Sequence, residues 1–583
     1  MQEHDKRERF QYTTMSQTKI SGAEILMRSL VAEGTTTLFG YPGGSIMPVY
    51  DALYDYTDRL NHILVRHEQG AIHAAQGYSR ANGKVGVCIV TSGPGVTNTV
   101  TGVADAMLDS TPVVVIAGQV GTPFLGSDAF QECDIINVMQ PICKWVYQIR
   151  SAAEVSKAVA QAFYVASSGR PGPVVLDFTK NAQVEKTEYI PYQNTFWRGY
   201  ESTPPTNKDS IQKAAELINN AKRPFVLIGQ GVSLGNAQDE VIQFIEKADM
   251  PAGCTLLGLS CLPSGHPLNM GMLGMHGNYA PNIKTQECDL LIAVGMRFDD
   301  RITGRVSTYA KQAKKIHFDI DPSEINKNIP VDIAVLGNCK DTIKAVTDLI
   351  RPNRHEEWRN SFMPYYEQEN EIVIQAETKP TEGPLLMGEV ISRVSTLAND
   401  DAIVVTDVGQ NQMMAARYSR YTHMRSMITS GGMGTMGFGL PAAIGATFAG
   451  TGRTVCLFVG DGGIQMTIQE LGTIMENQCP VKIILLNNNY LGNVRQWQEL
   501  FFNHRYSFTP MASPDYSKIA DAYHIPYILA AERENLDEAI KKMLTTDGPV
   551  LMEVAIKEED NVMPMCFPGN DVDNMILKVE SQK

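Results

Sequence analysis

TVCLFVGDGG (454–463) and VKIILLNNNYLG (481–492) are two apolar runs that each stop abruptly in polar residues. The first ends at Asp461, set among glycines. The second ends in Asn487, Asn488 and Asn489. Both runs are apolar on every residue face, the pattern of a strand covered on two sides, and the stretch at about 467–477 between them reads as a helix. A right-handed crossover makes such strands parallel neighbours, so Asp461 and Asn488 emerge at the same sheet edge. One supplies an anionic oxygen and the other a neutral one. The surrounding glycines let a phosphate approach the backbone, and the start of the following helix offers free N–H groups. A hard divalent cation, held by few protein oxygens together with a diphosphate, suits that donor set.

The same alternation extends outward through three blocks. The first carries TTLFG, HILVR, VGVCIV, PVVVIAG and PVVLDF. The middle carries RPFVLIGQG, LLIAVG and KKIHFDI. The third carries AIVVTD, the two runs above and PVLMEV. Continuous apolar strands spaced by helices predict an α/β protein of three doubly wound parallel-sheet domains. Expected boundaries are a disordered lead-in at 1–17, domains at 18–188, 210–350 and 383–560, proline-bearing linkers at 189–209 and 351–382, and a tail at 561–583. In open sheets of this kind ligands sit at the carboxyl ends of strands, which directs attention to the residues after each run.

Length and composition agree. A chain of 583 residues exceeds one hydrophobic core, and 43% apolar with 20% charged residues is ordinary for a globular enzyme. A net charge of −14 argues against nucleic acid or an anionic membrane as the main partner. The ten cysteines include no CxxC pair, so neither a zinc knuckle nor a disulfide framework is expected, and the reading is a reducing, cytoplasmic setting. No apolar run is long enough to span a bilayer, and the polar first residues do not form a secretory signal; Met15 is a second candidate start.

Two further stretches carry chemistry. RHEQGA (66–71) puts Glu68 where a strand gives way to a small-residue helix; alone, this is a dipole-favoured acid at a helix start. SGGMGTMGFG (430–439) formally matches GxGxxG at 432–437, but no clean apolar strand leads into it and no suitably placed acid follows.

The spacing of GDG, 24 residues and NN resembles the signature of thiamine diphosphate (ThDP) enzymes. That resemblance implies Mg²⁺ on Asp461, Asn488 and the Tyr490 carbonyl. It implies Glu68 against N1′ of the aminopyrimidine, a role that requires apolar burial to raise its pKa against the helix dipole. It assigns Gly434 to the pyrimidine ring and Met436 to the wedge that bends the cofactor. Diphosphate contacts fall to Gly409, Gln410 and Asn411, with Gly460, Gly462 and Gly463 beside them, and Gly43 and Gly44 form a cofactor-adjacent turn. The first domain then binds pyrimidine and the third binds diphosphate and Mg²⁺, on different chains of a homodimer or homotetramer.

Over about 18–575 the chain is similar to the acetohydroxyacid synthase (acetolactate synthase) catalytic subunits of the biosynthetic type. The motifs are FGYPGG (39–44), RHEQGA, TSGPG (91–95), GSDAFQE (126–132), SGRPGPV (168–174), MLGMHG (272–277), RFDDRITG (297–304) and VRQWQELF (494–501). The resemblance implies decarboxylation of pyruvate and transfer of a hydroxyethyl carbanion to a second pyruvate or to 2-ketobutyrate. The products, 2-acetolactate or 2-aceto-2-hydroxybutyrate, feed branched-chain amino-acid synthesis. Arg301 matches the residue that holds the second substrate's carboxylate, and Trp497 the one that flanks its alkyl group. Phe130, Gln131 and Lys180 match residues that line the channel. The middle domain is expected to bind FAD through Gly229, Gly231, Thr255, Leu256, Gly274, Met275, His276, Gly277, Gly295, Arg297, Asp299, Asp319, Ile320 and Asn338, with Arg170 from the first domain. A small regulatory subunit is expected by resemblance. Departures fall at Ser45, Gly121, Asn493 and the tail MPMCFPGND (563–571), and bear on substrate and inhibitor preference. The alternative is pyruvate oxidase, which shares ThDP and FAD; a non-catalytic relative would lack Glu68, Asp461 or Asn488.

Overall fold

The computed structural model describes residues 19–193 and 196–578; the lead-in expected at 1–17 lies outside the described residues. Three six-stranded sheets form, and every pairing within them is parallel. Each is covered on both sides, as the alternation along single strands shows. Val113, Val115 and Ala117 pack on one face of the first sheet, Val114 and Ile116 on the other. Phe225 and Leu227 oppose Val226 and Ile228 in the middle sheet. Val455, Leu457 and Val459 oppose Cys456 and Phe458 in the third. Burying one such side chain contributes about 1.5–3 kcal/mol, so runs apolar on both faces have a strong reason to become central strands.

The first sheet runs, edge to edge, through Asn61–Leu64, Thr37–Gly40, Gly86–Val90, Val113–Gln119, Pro173–Thr179 and Trp145–Ile149. The third runs through Met427–Ile428, Ile403–Thr406, Val455–Gly460, Val481–Asn487, Val550–Ala555 and Tyr527–Ala530. Numbered within each block, both follow the order 2-1-3-4-6-5. The middle sheet differs: Asn269–Met272, Ala252–Cys254, Pro224–Ile228, Leu290–Val294, Lys314–Asp319 and Ile333–Leu336, or 3-2-1-4-5-6, the order of dinucleotide-binding folds.

First and third blocks of one chain meet where helix Glu68–Asn82 crosses helix Gly439–Thr447. A Cβ on Gly77 would stand 2.0 Å from the Ala442 carbonyl oxygen, and one on Gly445 would stand 1.8 Å from that of Ala74. Only glycine permits this approach. The segment at 351–382 folds into short helices, among them Glu356–Asn360 and Met363–Glu369, and buries Trp358 and Phe362 against the middle block. The tail returns as a hairpin, Met565–Cys566 with Met575–Ile576, and puts Val572 into the middle-block core.

Two details correct the reading of the sequence. The strand Met427–Ile428 does lead into the glycine-rich loop at 430–438, but at two residues on a sheet edge it is too short to show as an apolar run. The helix expected at about 467–477 starts earlier, at Asp461, and is interrupted by a 3₁₀ turn at Ile468–Glu470.

Candidate active site

In the third block the strand order reverses between Ile403–Thr406 and Val455–Gly460, so their carboxyl ends diverge and open a crevice. Asp407 leaves one strand and Asp461 the other. A cavity of about 60 Å³ lies there, lined by Gly409, Gln410, Asn411, Met436, Gly460, Asp461, Gly462, Gly463, Asn488 and Tyr490. Helix Gln410–Tyr418 begins at its rim behind Gly409, whose φ of +132° suits glycine, and presents its free N–H groups.

The three asparagines do three different things. Asn487 ties back into the sheet, donating from Nδ2 to Glu553 Oε1 at 2.8 Å. Asn488 turns into the cavity; its Oδ1 accepts the Tyr490 N–H at 3.3 Å and its buried Nδ2 has no partner. Asn489 takes the left-handed backbone, φ +56°, a conformation asparagine tolerates better than most residues.

Asp461 is 1% exposed. Ser513 Oγ, 3.0 Å from Asp461 Oδ2 and 3.1 Å from Asn487 Oδ1, can donate to either. Asp461 Oδ1 is buried without a partner, and burial pushes the carboxyl pKa up. An unpaired buried carboxylate oxygen is costly, and a cation removes the cost. With the amide of Asn488 and the carbonyl of Tyr490 the donor set is all oxygen, which fits Mg²⁺. Among the described residues no cluster of three His, Cys, Asp or Glu side chains could hold a metal.

Asp407 was not among the residues singled out from the sequence, yet it fastens the loop that carries Gly434 and Met436. Its carboxylate accepts N–H groups from Val408 at 2.8 Å, Gly437 at 3.0 Å and Gly439 at 2.9 Å. A Cβ on Gly463 would come within 2.5 Å of it. Its position at the end of the run AIVVTD, directly after the strand Ile403–Thr406, was the available signal.

In the first block Glu68 opens its helix behind the His67 cap and accepts Asn98 Nδ2 at 2.9 Å. It is half-buried and does not line the third-block cavity of its own chain. A Cβ on Gly95 would lie 3.5 Å from Glu68 Oε1; the Gly44 carbonyl is 3.4 Å from Lys180 Nζ, and a Cβ on Gly43 would strike Thr91. Gln131 packs against Gly93 in a left-handed conformation, while Phe130 is 88% exposed.

The middle block holds a cavity of about 340 Å³ where its own strand order reverses, within the size range of small-molecule sites. Gly231, Thr255, Leu256, Gly295, Arg297, Asp299, Asp319, Ile320 and Asn338 line it, with Arg170 from the first block and Gly431 and Gly432 from the third. The two turns interlock: a Cβ on Gly229 would meet the Gly295 oxygen at 2.2 Å, and Gly295 has φ +56°. Arg170 is held by Glu324 at 2.9 Å and Ser110 at 2.9 Å. These residues fit a dinucleotide such as FAD. The stretch at 274–277 and Gly229 itself lie off the cavity wall. Burial there pushes the His276 imidazole down to about 3, so it is neutral, and the His276 and Gly277 carbonyls accept Arg417.

Arg301 Nη1 is 3.7 Å from the Met275 sulfur, and Met275 and Trp497 both pack against the cluster of Val373, Met563 and Met565, with the Trp497 ring 5.1 Å from that of Phe501.

Three family descriptions match successive parts of the chain: thiamine pyrophosphate enzyme, N-terminal TPP binding domain, over residues 20–138; central domain, over 211–346; and C-terminal TPP binding domain, over 407–554. The chain is 43% identical over 561 residues to the acetolactate synthase isozyme 2 large subunit of Escherichia coli (strain K12), covering 96% of this chain and 100% of that protein. It is 42% identical over 567 residues to the acetolactate synthase large subunit of Parasynechococcus marenigrum, 96% and 91% covered. The corresponding protein of Lactococcus lactis is 40% identical over 557 residues, 95% and 96% covered.

Proposed function

The chain belongs to the acetolactate synthase large-subunit family of ThDP enzymes, and on that premise we propose that it converts pyruvate, with a second pyruvate or 2-ketobutyrate, into 2-acetolactate or 2-aceto-2-hydroxybutyrate for branched-chain amino-acid synthesis. The observation that carries this reading is that Asp461, at the third sheet's switch point, shares a cavity with Asn488 and keeps its buried Oδ1 without a partner among the described residues.

When bound, ThDP supplies an electron sink that no side chain offers. Asp461, Asn488 and the Tyr490 carbonyl hold Mg²⁺. Gly409, Gln410 and Asn411 receive the diphosphate at the helix start, while Gly434 and Met436 orient the rings. Glu68 holds the proton at N1′ of the pyrimidine. Arg301 takes the carboxylate of the second 2-oxoacid through a two-pronged pair. Trp497 and Met275 wall its alkyl group, and Phe130, Gln131 and Lys180 border the approach. Gly231, Thr255, Gly295, Arg297, Asp319 and Arg170 of the middle-block cavity would hold FAD.

The third-block cavity is lined by that block alone, and Glu68 of the same chain stands outside it. This supports a site completed by Glu68 of a second copy, hence a homodimer or a homotetramer. The relatives are named large subunits, which favours a small regulatory partner. Eight buried free thiols suit a reducing, cytoplasmic setting.

The test is an assay with pyruvate, ThDP, Mg²⁺ and FAD that measures acetolactate, followed by competition with 2-ketobutyrate. Rapid stoichiometric flavin bleaching on anaerobic mixing with pyruvate, without acetolactate, would instead identify a pyruvate oxidase, a reading the relatives' names do not favour.

A further inference from the structure

Where the three blocks meet, a second cavity of about 80 Å³ lies behind the wall of the larger one and shares Gln230, Leu234 and Leu257 with it. A water needs roughly 10–15 Å³ of such space, so several waters or one tetrahedral ion can be held. Its lining includes two guanidinium groups, Arg80 and Arg425, and no carboxylate.

The two arginines differ. Arg80 meets Asp109 at 2.9 Å and Asp105 at 3.6 Å behind the cavity wall, so its charge is already balanced; its Nε is nevertheless buried without a partner. Arg425 pairs with no carboxylate among the described residues. Its Nη2 donates to the Ser233 carbonyl at 2.8 Å and to Asn236 Oδ1 at 3.0 Å, both neutral. It also sits at φ +62°, an uncommon conformation for a residue of its size, and its guanidinium lies 2.8 Å from where a Gly83 Cβ would be. Two hydroxyls complete the wall. Thr111 Oγ1, 1% exposed, has no partner. Ser260 Oγ accepts the Ser426 N–H at 3.2 Å and keeps its own proton to donate. An unbalanced, partly buried charge surrounded by spare donors is costly unless an anion shares the space.

We propose that this cavity binds a small tetrahedral oxyanion of the phosphate or sulfate type, held by Arg425 with the Arg80 Nε–H and the hydroxyls of Thr111 and Ser260. The ion bridges the end of the first-block helix, the middle-block helix Gly231–Leu234 and the third-block strand Met427–Ile428. It thus fastens the three blocks together and stiffens one wall of the larger cavity without entering it.

The experiment is thermal unfolding of the full chain, saturated with FAD, in potassium phosphate against potassium chloride at matched ionic strength. A saturable rise in Tm with phosphate that chloride does not reproduce is expected. Thr111→Val, which keeps the side-chain shape, should raise the phosphate midpoint about five- to tenfold, the effect of one neutral hydrogen bond. Arg425→Gln should remove the phosphate-specific rise. The proposal is overturned if phosphate and chloride act alike on the wild type, or if both variants keep the wild-type midpoint. It is also overturned if phosphate and FAD compete, since the occupant would then be a phosphate of the dinucleotide itself.

Discussion

Glu470 and Arg66, 404 residues apart in the chain, meet across the first and third blocks: the Glu470 carboxylate oxygens lie 3.1 and 3.2 Å from the Arg66 backbone nitrogen and accept its N–H. Glu470 is fully buried, takes the Thr473 hydroxyl at 2.7 Å, and stands where a Gly70 Cβ would come within 2.3 Å. It therefore clamps the turn that presents Glu68 onto the helical run that begins at Asp461. Glu470→Ala leaves a buried N–H unpaired and should cost about 1–3 kcal/mol in denaturant unfolding, with a lower kcat. Glu68→Gln, at unchanged stability, should bind ThDP and lose about 10²–10⁴ of turnover. Undiminished turnover in that variant removes Glu68 from the mechanism.

Ser513 touches the proposed metal site through Asp461, and the neighbouring Asn487 also lies within its reach. Removing a group that orients a metal ligand typically costs about 10–100-fold in metal affinity. Ser513→Ala should raise the Mg²⁺ concentration for half-maximal activity by that factor, and excess Mg²⁺ should restore kcat. Asp461→Ala should not be rescued.

Trp497 packs on Met563 and Met565 while Arg301 reaches Met275, and the two are proposed to hold different parts of the second substrate. Trp497→Ala should reduce the preference for 2-ketobutyrate over pyruvate by about tenfold or more, since one methylene in an apolar pocket is worth about 1–3 kcal/mol. Arg301→Gln should raise KM for both acceptors alike. Product ratios in mixed-substrate assays separate the two effects.

Arg417 and Glu369 form a fully buried ion pair at 2.8 Å that joins helix Gln410–Tyr418, the segment at 351–382 and the middle block; Glu369 also accepts the Tyr279 N–H. Breaking one partner strands the other charge, so Arg417→Met should destabilise by about 3–5 kcal/mol. The double variant with Glu369→Met should recover part of that loss.

Glu377, buried beside Tyr418, has its carboxyl pushed up to about 7 by burial. Between its ordinary value of 4.5 and about 7 the folded state holds a proton that the unfolded state has lost. Its contribution is therefore complete at the acid end and disappears as pH rises through about 7. Glu377→Gln should flatten that decline in a stability–pH profile; an unchanged slope counts against the raised value.

The central strands were legible because they are apolar on both faces, and a residue pattern records burial directly. Of the edge strands only Asn61–Leu64 stood out; Trp145–Ile149, Asn269–Met272, Ile333–Leu336, Met427–Ile428 and Tyr527–Ala530 did not, because an edge strand is half-wetted, and the internal strand Ala252–Cys254 did not because three residues make no run. The switch-point residues Asp461 and Asn488 stood out because they interrupt such runs at a distinctive spacing. Asp407 and Glu470 act through partners tens to hundreds of residues away, and no local pattern marks that.

The sequence by itself determined three parallel α/β sheets and which strand ends carry polar chemistry, since periodicity and spacing are local properties of a chain. Only the tertiary structure decided that the middle sheet has a strand order different from the other two, that Glu68 stands apart from the Asp461 cavity of its own chain, and that Arg425 meets no opposing charge among the described residues. Those facts depend on strand order and on contacts between distant segments, which arise only when the sheets have packed.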